Sequence, residues 1–492
     1  ITGYPPEDLL LRESFIGKNF AVLEEIAAFS SNTSGIIGFV DRKTDSNNQD
    51  NNERTIANAA AIVQNGDVRG IYHKSFLPNY SVFDEARYFS KGTNSDTLFW
   101  YDDIAIGINI CEDIWIEDGP AEDQVKQGAS LIININASPY DIQKNETRKE
   151  LVMKKALKLN VPIIYLNMVG GQDELVFDGG SFVVNDLGEI IYQASSFQEE
   201  VFHLDIDLKI KKQNSKSSLT TRPKTTELKD VKSKPSLSEN ESIYSALKLG
   251  LLDYVSKNKF TKVLIGISGG IDSALTAAIC VDALGSENVL GVAMPSKYNS
   301  KESLEDAITL SDNLGINLKI IEIEKIVDSF REVLANSLKE ELGQITDENI
   351  QSRVRGNILM GLSNQTGAMV VSTGNKSEMA VGYSTLYGDL AGGFALIKDL
   401  YKTKVYELSN YRNSISDAIP ENIISKEPSA ELRPNQFDSD SLPDYEVLDK
   451  ILNLYIEEDS SSERIIASGV QPGLVYDVLE KVDRNEYKRK QV

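Results

Sequence analysis

A strand, a tight turn and a helix follow one another without a break in residues 263–280, VLIGISGGIDSALTAAIC. The β-branched, apolar run 263–267 shows no polar alternation, which is typical of a strand covered on both faces of a parallel sheet. The residues after the turn favour a helix and include no breaker before Gly285. The turn is therefore predicted at the carboxyl end of a strand, where open α/β sheets bind their ligands.

The turn Ser-Gly-Gly-Ile-Asp-Ser predicts an anion site. Two adjacent glycines allow close backbone approach, and the hydroxyls of Ser268 and Ser273 are expected to point with the helix N–H groups at one place. A Walker-type loop needs Lys and then Ser or Thr after its second glycine, whereas Ile271 and Asp272 follow here. Because a carboxylate repels phosphate, Asp272 indicates a divalent cation between them. Packing alone does not require this combination of residues.

The length and charge of the chain limit its domain count and the kinds of partner that it can bind. A chain of 492 residues is too long for one core and predicts two to four domains. Its net charge of -23 argues against nucleic acid or an anionic membrane as the main partner. No run of apolar residues is long enough to predict a membrane span. We therefore expect a globular protein with small-molecule ligands.

The small numbers of cysteines and histidines limit the compartment and the chemistry that we expect. The only cysteines in the sequence are Cys111 and Cys280, so a disulfide scaffold is implausible and a reducing, cytoplasmic setting is expected. With only two histidines in the sequence, the candidate chemistry shifts to Cys, Lys, Glu and Asp. The chain opens at Ile1 without Met and closes on a basic segment, which suggests that both ends continue in a longer protein.

A segment with the composition of a linker divides the chain. Between 207 and 240 the hydrophobic periodicity vanishes and Lys, Ser, Thr and Pro predominate, which predicts a linker between domains at 1–206 and 241–492. After it, helical spacing returns in the apolar residues Ile243, Leu247, Leu251, Tyr254 and Val255.

The second half alternates strands and helices, which predicts a parallel sheet with helices on both faces. The predicted strands are 263–267, 288–293, 317–323 and 368–373, and the predicted helices are 273–284, 302–313 and a long stretch at 325–364. The first half instead offers many β segments with helices at 121–128 and 145–159 between some of them, which predicts a layered α/β domain with a mixed sheet or a pair of sheets.

Cys111 is the candidate nucleophile of the first half. In IAIGINICEDIW a strand leads directly into this residue and then into Glu112 and Asp113. A lone Cys is more often a small buried hydrophobic residue, but a neighbouring base or cation turns it into a nucleophile. His73 and Lys74 end another strand, and alternation sends them to opposite faces. Either one can face the thiol, and the pattern leaves the choice open.

Segments in both halves resemble one known family, the glutamine-dependent NAD synthetases. The first half is similar to their nitrilase-type glutaminase domain in TGYPPEDLLLR, YHKSFLPNYSVFDE, GINICEDIW and INASPYDIQKNETR. The second half is similar to their synthetase domain in GISGGIDSA, MPSKYNS, DENIQSRVRGNILM, STGNKSEMAVGYSTLYGD, IKDLYKTKVYEL, EPSAELRP, SLPDYEVLD and NEYKRKQ. The resemblance implies a nitrilase-like α-β-β-α layered domain, followed by a Rossmann-like doubly wound parallel sheet.

The resemblance also implies roles in the first half. Cys111 would form the acyl intermediate, and Lys74 would stabilise the oxyanion, which favours Lys74 over His73. Tyr80, Ser138 and Lys144 would hold glutamine. The family's general base is a Glu ahead of TGYPPEDLL, and we expect it upstream of Ile1.

In the second half the resemblance implies that deamido-NAD⁺ is adenylated by ATP, and that ammonia then displaces AMP. Asp272 and Glu378 would share Mg²⁺. Deamido-NAD⁺ would contact Asn349, Arg353, Glu378 and Lys488. ATP would contact Gly266, Ile267, Ser268, Gly269, Gly270, Ile271, Asp272, Ser273, Thr373, Lys402 and Ser429. The family also implies a homo-oligomer, a dimer or larger.

Two other classes of function compete with this interpretation. The same turn resembles that of asparagine and GMP synthetases and of tRNA-modifying enzymes. A tRNA enzyme would show basic surface or metal-binding cysteines, and this acidic sequence indicates neither. In a non-catalytic alternative, the first half only supports assembly, and an assay with glutamine separates that case from the first.

Overall fold

The computed structural model describes residues 1–31, 33–43, 55–93, 98–209 and 233–490. This part of the chain forms two compact units, Ile1–Leu237 and Ser238–Val492. None of the helices described in it has the length and apolar character needed to cross a membrane. The predicted linker at 207–240 falls mostly on residues 210–232, which lie outside the described residues, so it stays a prediction.

The two longest helices described in the first unit bury one face each. In the first of them the buried residues Ile16, Asn19, Leu23 and Ala27 recur every three or four positions. Asn19 is polar, but its amide exchanges two hydrogen bonds with the backbone of Val40. The described helices are α1 (Glu13–Ala28), α2 (Glu85–Tyr88), α3 (Pro120–Lys126) and α4 (Lys144–Leu159).

The strands of the first unit form two main sheets and a hairpin. The described strands are β1 (Ser34–Lys43), β2 (Thr55–Gln64), β3 (Asp67–His73), β4 (Leu98–Tyr101), β5 (Ile104–Ile110), β6 (Leu131–Asn136), β7 (Ile163–Asn167), β8 (Val169–Gln172), β9 (Leu175–Asp178), β10 (Phe182–Val184) and β11 (Ile190–Gln193). One sheet is antiparallel, in the order β1-β2-β3. The other is mixed, in the order β11-β10-β7-β6-β5-β4, and β8 pairs with β9. Within the mixed sheet β5, β6 and β7 are parallel.

Strand β2 shows how the layers arise. Its residues Ala59, Ala61 and Val63 share a core with α1, while Ala60 and Ile62 share a core with β5 of the other sheet. This alternation is the period of two expected for a strand buried on both faces. The far side of the mixed sheet packs on α3 and α4. The order helix, sheet, sheet, helix confirms the predicted α-β-β-α domain.

The second unit contains the predicted parallel sheet. Its described strands are β12 (Val263–Gly266), β13 (Val289–Ala293), β14 (Asn317–Ile320), β15 (Met369–Ser372) and β16 (Phe394–Ala395). They are all parallel and lie in the order β14-β13-β12-β15-β16. The chain runs outward from β12 to β14 and returns on the other side with β15. The strand order reverses between β12 and β15, and open α/β sheets bind their ligands beside the carboxyl ends of the strands at such a point.

Helices cover both faces of this sheet. Val263 and Ile265 of β12 face one core and Leu264 faces the other, which confirms the doubly wound fold. The described helices are α5 (Glu239–Lys257), α6 (Ile271–Leu284), α7 (Lys301–Leu314), α8 (Glu324–Leu338), α9 (Gln344–Thr366), α10 (Lys376–Val381), α11 (Lys402–Ile415), α12 (Glu421–Ser425), α13 (Tyr445–Leu452), α14 (Ser462–Ala467), α15 (Pro472–Arg484) and α16 (Glu486–Arg489).

The predicted long helical stretch at 325–364 is wrong in one respect, because it is two helices. Helix α8 ends at Leu338, where Lys339 adopts a left-handed conformation with φ of +58°, and α9 starts after the extended Gly343. A left-handed residue closes a helix because its amide turns back to bond the last carbonyls. The predicted strand 317–323 is also too long and ends at Ile320.

Candidate active sites

Cys111 lies on a strained turn at the carboxyl end of β5. It begins a 3-10 turn, Cys111–Ile114, and its φ of +44° lies in the left-handed region that few residues other than glycine adopt. Such strain persists only where the surrounding structure imposes it, and it is frequent at functional sites. The parallel neighbour β6 leads to Ser138, whose Oγ lies 3.8 Å from Cys111 Sγ. The fold thus brings two predicted site residues together at adjacent strand ends.

A buried ion pair lies beside this thiol. Lys74 follows β3, and its Nζ donates to both carboxylate oxygens of Glu85 at 2.8 Å. The two side chains are only 1% and 4% exposed. Burial alone would lower the pKa of Lys74, but the negative charges of a Cys111 thiolate and of Glu85 outweigh it and raise that pKa. Lys74 is therefore held as a cation next to Cys111.

Burial disfavours the ionised form of the thiol. Burial raises the pKa of Cys111, and the nearby Lys74 cation offsets only part of this rise. A reaction at this sulfur thus requires a base that accepts its proton. The His73 ring instead pairs with Asp41, with its Nε2 2.7 Å from Asp41 Oδ2. Of the two neighbours that the sequence pattern left open, Lys74 is the one beside Cys111.

Sequence reasoning missed two residues of this site. Glu85 is the buried partner of Lys74, and Tyr4 packs its ring against Phe83 and Phe177 at 6.5 and 6.4 Å. Burial raises the pKa of Tyr4, and the charges of Glu85 and Cys111 add to the rise. Tyr4 stands in TGYPPEDLLLR and Glu85 in YHKSFLPNYSVFDE, two segments that carried the family resemblance. Those segments were the available signal, but nothing local in them marks either residue as part of the site.

The other two residues predicted to hold glutamine gather around Phe83. The Tyr80 ring stands edge-on to Phe83 at 5.5 Å, and Lys144 Nζ lies 5.8 Å from the centre of the same ring. Tyr80 also donates to Glu112, the residue after Cys111, at 2.9 Å. Tyr80 is exposed, unlike Ser138 and Lys74. The residues predicted for this site therefore include buried ones, Ser138 and Lys74, which form its floor, and the exposed Tyr80, which lies at its rim.

Ser138 is supported by a buried polar network. Its backbone N–H donates to Asn167 at 3.0 Å, and its hydroxyl accepts from Tyr165 at 3.3 Å. Arg148 donates to the Ser138 carbonyl at 3.3 Å and also pairs with Asp178 at 2.7 Å. Both members of that ion pair have side chains only 3% exposed. The loop after β6 is thus held by buried hydrogen bonds, with the charged Arg148 and the neutral Tyr165 as donors.

In the second unit, the turn after β12 has the predicted shape. Gly269 has φ of +81°, and a Cβ there would lie 2.1 Å from the carbonyl oxygen of Ser303, so only glycine fits. No side chain among the described residues caps α6, which begins at Ile271. Ser268 and Ser273, however, spend their hydroxyls within the turn, 3.2 Å from each other. The two hydroxyls thus lie close together beside the start of α6, and their part in binding a ligand stays a prediction.

A charged cluster borders this turn. Lys402 Nζ contacts Asp272 Oδ2 and lies 3.3 Å from Glu378 Oε1, and Asn375 donates to Asp272 Oδ1 at 2.8 Å. Burial raises the pKa of Glu378, opposed by the Lys402 cation, and the two carboxylates raise that of Lys402 against its own burial. Three predicted site residues thus meet where α6, α10 and α11 begin.

Asp438 is a third carboxylate of this cluster that the sequence analysis missed. It is 5% exposed, and one of its oxygens accepts from Tyr445 at 2.8 Å. Burial raises its pKa, and its charge raises those of both Glu378 and Lys402. No group of three or more His, Cys, Asp or Glu in the described ranges is arranged to hold a metal ion. Asp272 and Glu378 supply two hard oxygen donors, and Mg²⁺ commonly takes one or two carboxylates together with phosphate oxygens.

Three of the residues predicted for deamido-NAD⁺ converge on one segment, 382–386. Lys488 donates to the carbonyls of Gly382 and Ser384 at 2.6 and 2.8 Å. Arg353 donates to the Leu386 carbonyl at 3.2 Å. Asn349 accepts from Thr385 at 2.7 Å. These residues come from α9 and α16, and the segment directly follows α10, which carries Glu378.

Two other residues predicted to bind ATP, Thr373 and Ser429, lie on separate segments of the second unit. Thr373 directly follows β15 at the carboxyl edge of the sheet and is half-buried. Ser429 lies on the loop between α12 and α13, where its hydroxyl donates to the Gln436 carbonyl and accepts from the N–H of Glu431. Glu431 in turn accepts from Ser303 at 2.8 Å. This contact links the loop to α7, the helix that Gly269 approaches closely.

Two family models match the chain. One, described as carbon-nitrogen hydrolase, matches residues 4–212, and the other, described as NAD synthase, matches residues 243–492. The two matches follow one another in the order of the two structural units.

Proteins similar along the whole chain carry one description. The glutamine-dependent NAD(+) synthetases of Thermotoga maritima and Aquifex aeolicus are 46% and 45% identical to it, over 100% of this chain and 87% and 88% of their own. A solved glutamine-dependent NAD+ synthetase from Acinetobacter baumannii, in complex with ADP, is 42% identical, with a TM-score of 0.76 over 100% of this chain and 86% of its own. Another, from Cytophaga hutchinsonii, shares the fold at 21% identity with a TM-score of 0.81.

Proposed function

Because this chain belongs to the glutamine-dependent NAD(+) synthetases, we propose that it converts deamido-NAD⁺ to NAD⁺ with ATP and with nitrogen taken from glutamine. The observation that carries the proposal is the pair of sites in one chain. A strained cysteine lies beside a buried lysine in one unit, and a phosphate-type turn bordered by carboxylates lies in the other.

In the first unit, the proposed reaction is amide hydrolysis at Cys111. The sulfur attacks the side-chain amide carbon of glutamine, its proton passes to a base, and ammonia leaves to give a thioester that water then hydrolyses to glutamate. Lys74 offers its positive charge where the oxyanion develops. Ser138, Tyr80 and Lys144 hold the substrate, with Lys144 suited to its carboxylate.

In the second unit, the proposed reaction is adenylation followed by amide formation. The carboxylate of deamido-NAD⁺ attacks the α-phosphate of ATP and expels pyrophosphate, and ammonia then displaces AMP from the adenylate. The N–H groups at the start of α6 suit the phosphate charge. Asp272 and Glu378 are the residues that would hold Mg²⁺, which offsets the triphosphate charge when bound. Lys402, Thr373 and Ser429 complete the proposed ATP contacts.

Deamido-NAD⁺ is proposed to bind around the 382–386 segment. Asn349, Arg353 and Lys488 all touch this segment, which supports their assignment to one ligand. Arg353 and Lys488 bring positive charge that suits the phosphates of the dinucleotide. Glu378 is proposed to take part in both this site and the cation site.

A homo-oligomer in the cytoplasm completes the proposal. Helices α8 and α9 leave several large apolar side chains exposed in the described chain, and such a surface favours burial against another copy. They are Ile326, Phe330, Val333, Leu338, Ile345 and Met360. Sedimentation of the purified protein would show a dimer or larger species, and a monomer at micromolar concentration would contradict this part.

The test of the proposed function is synthesis from defined substrates. The full-length gene product is incubated with deamido-NAD⁺, ATP, Mg²⁺ and amide-labelled glutamine, and NAD⁺, AMP and pyrophosphate are measured. The label should appear in the nicotinamide amide, and ammonium should replace glutamine. Aspartate or XMP in place of deamido-NAD⁺ should give no product. Turnover of either one, without NAD⁺ synthesis, would contradict the proposal in favour of another ATP-pyrophosphatase amidotransferase.

A further inference from the structure

Asp113, two residues after Cys111, is a carboxylate that the proposed chemistry does not use. Its side chain is 0% exposed, yet it accepts four hydrogen bonds. One oxygen, Oδ1, accepts from the backbone N–H groups of Ser75 and Phe76 at 3.1 and 2.9 Å. The other, Oδ2, accepts from the Tyr72 hydroxyl at 2.8 Å and from the N–H of Ile110 at 3.1 Å.

These four donors flank the two central residues of the site. Tyr72, Ser75 and Phe76 lie on either side of Lys74 along the chain, and Ile110 directly precedes Cys111. One carboxylate therefore joins the end of β3 to the end of β5. A shift of either segment would break at least one of these bonds.

We propose that Asp113 is a positioning residue that sets the distance between the Cys111 thiol and the Lys74 ammonium for glutamine hydrolysis. The proposal rests on the proposed function of the first unit. Its basis is that one buried carboxylate bonds both sides of the pair: Oδ1 holds the loop after Lys74, and Oδ2 holds both Tyr72, ahead of Lys74, and Ile110, ahead of Cys111.

The geometry of the donors favours the ionised carboxylate. Three of the four partners are backbone N–H groups, which can only donate, the Tyr72 hydroxyl also donates here, and an ionised Asp offers only acceptor sites. A protonated Asp or an Asn presents a donor on one of its two ends. That end would then face either the N–H groups of Ser75 and Phe76 or the donors of Tyr72 and Ile110. Either arrangement places donors against each other and releases one side of the pair.

Ionisation of Asp113 falls within an accessible pH range. Burial raises its pKa to about 6, while the N–H groups of Ile110 and Phe76, the Tyr72 hydroxyl and the Lys74 cation hold it from rising further. Tyr72 and Lys74 are the titratable groups that face it from β3 and the following loop, and Cys111 stands on its own turn. Glutamine hydrolysis should therefore decline as the pH falls through about 6, where Asp113 becomes protonated.

The first test replaces Asp113 with Asn in the full-length gene product. A misplacement of this kind typically costs about 10²-fold in rate, so kcat for glutamine hydrolysis should fall by that factor with KM nearly unchanged. Because Asn resembles the protonated acid at every pH, the decline near pH 6 should vanish. Asp67→Asn, at a 69% exposed carboxylate on the β2-β3 hairpin, is the matched control and should match the wild type. NAD⁺ synthesis from ammonium and thermal unfolding report whether each variant is folded.

Tyr72→Phe provides the second test, since it removes a single donor and keeps the ring in the core. The Tyr72 hydroxyl lowers the pKa of Asp113, so its loss should move the acid limb of glutamine hydrolysis to higher pH. A purely structural role predicts lower stability with no shift of this limb.

The outcomes separate the two proposals. A wild-type protein that does not hydrolyse glutamine overturns the function of the first unit, and the role of Asp113 with it. An active wild type, together with a folded Asp113→Asn variant of near-normal kcat, overturns only the role of Asp113. If Asp113→Asn does not fold, an unmoved acid limb in Tyr72→Phe overturns it by itself.

Discussion

The two candidate sites balance charge in different ways. Around Cys111 the buried Lys74 cation pairs with the buried carboxylate of Glu85, and the second buried carboxylate, Asp113, is satisfied by four hydrogen-bond donors. In the second unit the Lys402 cation lies among the carboxylates of Asp272, Glu378 and Asp438. The first site suits a neutral amide whose charge develops only during reaction. The second keeps an excess of negative charge, which suits a ligand that arrives with its own cations.

This difference indicates how each site responds to its ligand. The first is held by hydrogen bonds to backbone groups and by buried pairs, so its geometry exists before substrate binds. In the second, Lys402 occupies the space between Asp272 and Glu378 and contacts both. A divalent cation at these two carboxylates would have to displace Lys402 toward the phosphates. We expect the first site to be rigid and the second to rearrange.

Removal of the candidate nucleophile gives the largest expected effect. Cys111→Ala should lower glutamine-driven synthesis by at least about 10⁴-fold, because Cys111 is the only cysteine in the sequence of the first unit, while synthesis from ammonium persists. Both rates are measured as NAD⁺ formation. Cys280→Ala, at a cysteine buried in the core of α6, is the matched control and should keep both activities. Equal loss of both activities in a folded Cys111→Ala variant would break the distinction between the sites.

Loss of a carboxylate in the second site comes next. Cation stabilisation of phosphoryl charge contributes several kcal/mol, so Asp272→Ala should reduce synthesis about 10³-fold with either nitrogen source. Glutamine hydrolysis measured alone should continue. Asp312→Ala removes an exposed carboxylate of the same unit and should change nothing. Near-normal turnover of Asp272→Ala with ammonium would refute the cation assignment.

The buried network of the first unit predicts a stability effect. Arg148→Met leaves Asp178 as an unpaired buried charge, which typically costs about 3–5 kcal/mol of unfolding free energy. Chemical denaturation monitored in the first unit measures the loss. Lys154→Met, at an exposed pair with Glu150, should cost less than about 0.5 kcal/mol. Similar losses for both variants would show that burial does not separate these two ion pairs.

The smallest expected effect concerns the rim of the first site. Tyr80→Phe removes the hydroxyl that donates to Glu112 and should raise KM for glutamine about fivefold, the value of one hydrogen bond, with kcat little changed. Tyr88→Phe removes a comparable exposed bond to Asp8 and should leave KM unchanged. A fall in kcat with constant KM would place Tyr80 with the rigid floor rather than the rim.

Much of the fold could be predicted because its patterns are local. The apolar run before Ser268 and the small residues after it specify a strand, a turn and a helix, and β12 and α6 are where they were expected. The break between α8 and α9 was missed because Lys339 has no sequence signature for a left-handed conformation. Gly343 was the remaining clue, and one glycine in a helical pattern is weak evidence of an end.

Site residues could be predicted where a recognisable sequence motif assigns them a role, and two carboxylates without such an assignment were missed. Glu85 and Asp438 are single carboxylates in acidic surroundings, and their importance comes from burial against Lys74 and beside Lys402. Burial of a charge depends on contacts between distant segments, which periodicity does not report. Asp113 stood in a motif that was noticed, but three of its four donors come from the distant stretch around Lys74.

The sequence by itself determined that a cysteine ends one strand, that a phosphate-type turn ends another, and that only one of His73 and Lys74 can share a face with the thiol. Each of these follows from residue order and from the alternation of a strand. The family resemblance favoured Lys74, but only the tertiary structure gives the physical reason, because the choice depends on which sheet face packs against β5. The same packing buries Glu85 against Lys74 and turns a surface-type side chain into a fixed cation beside Cys111.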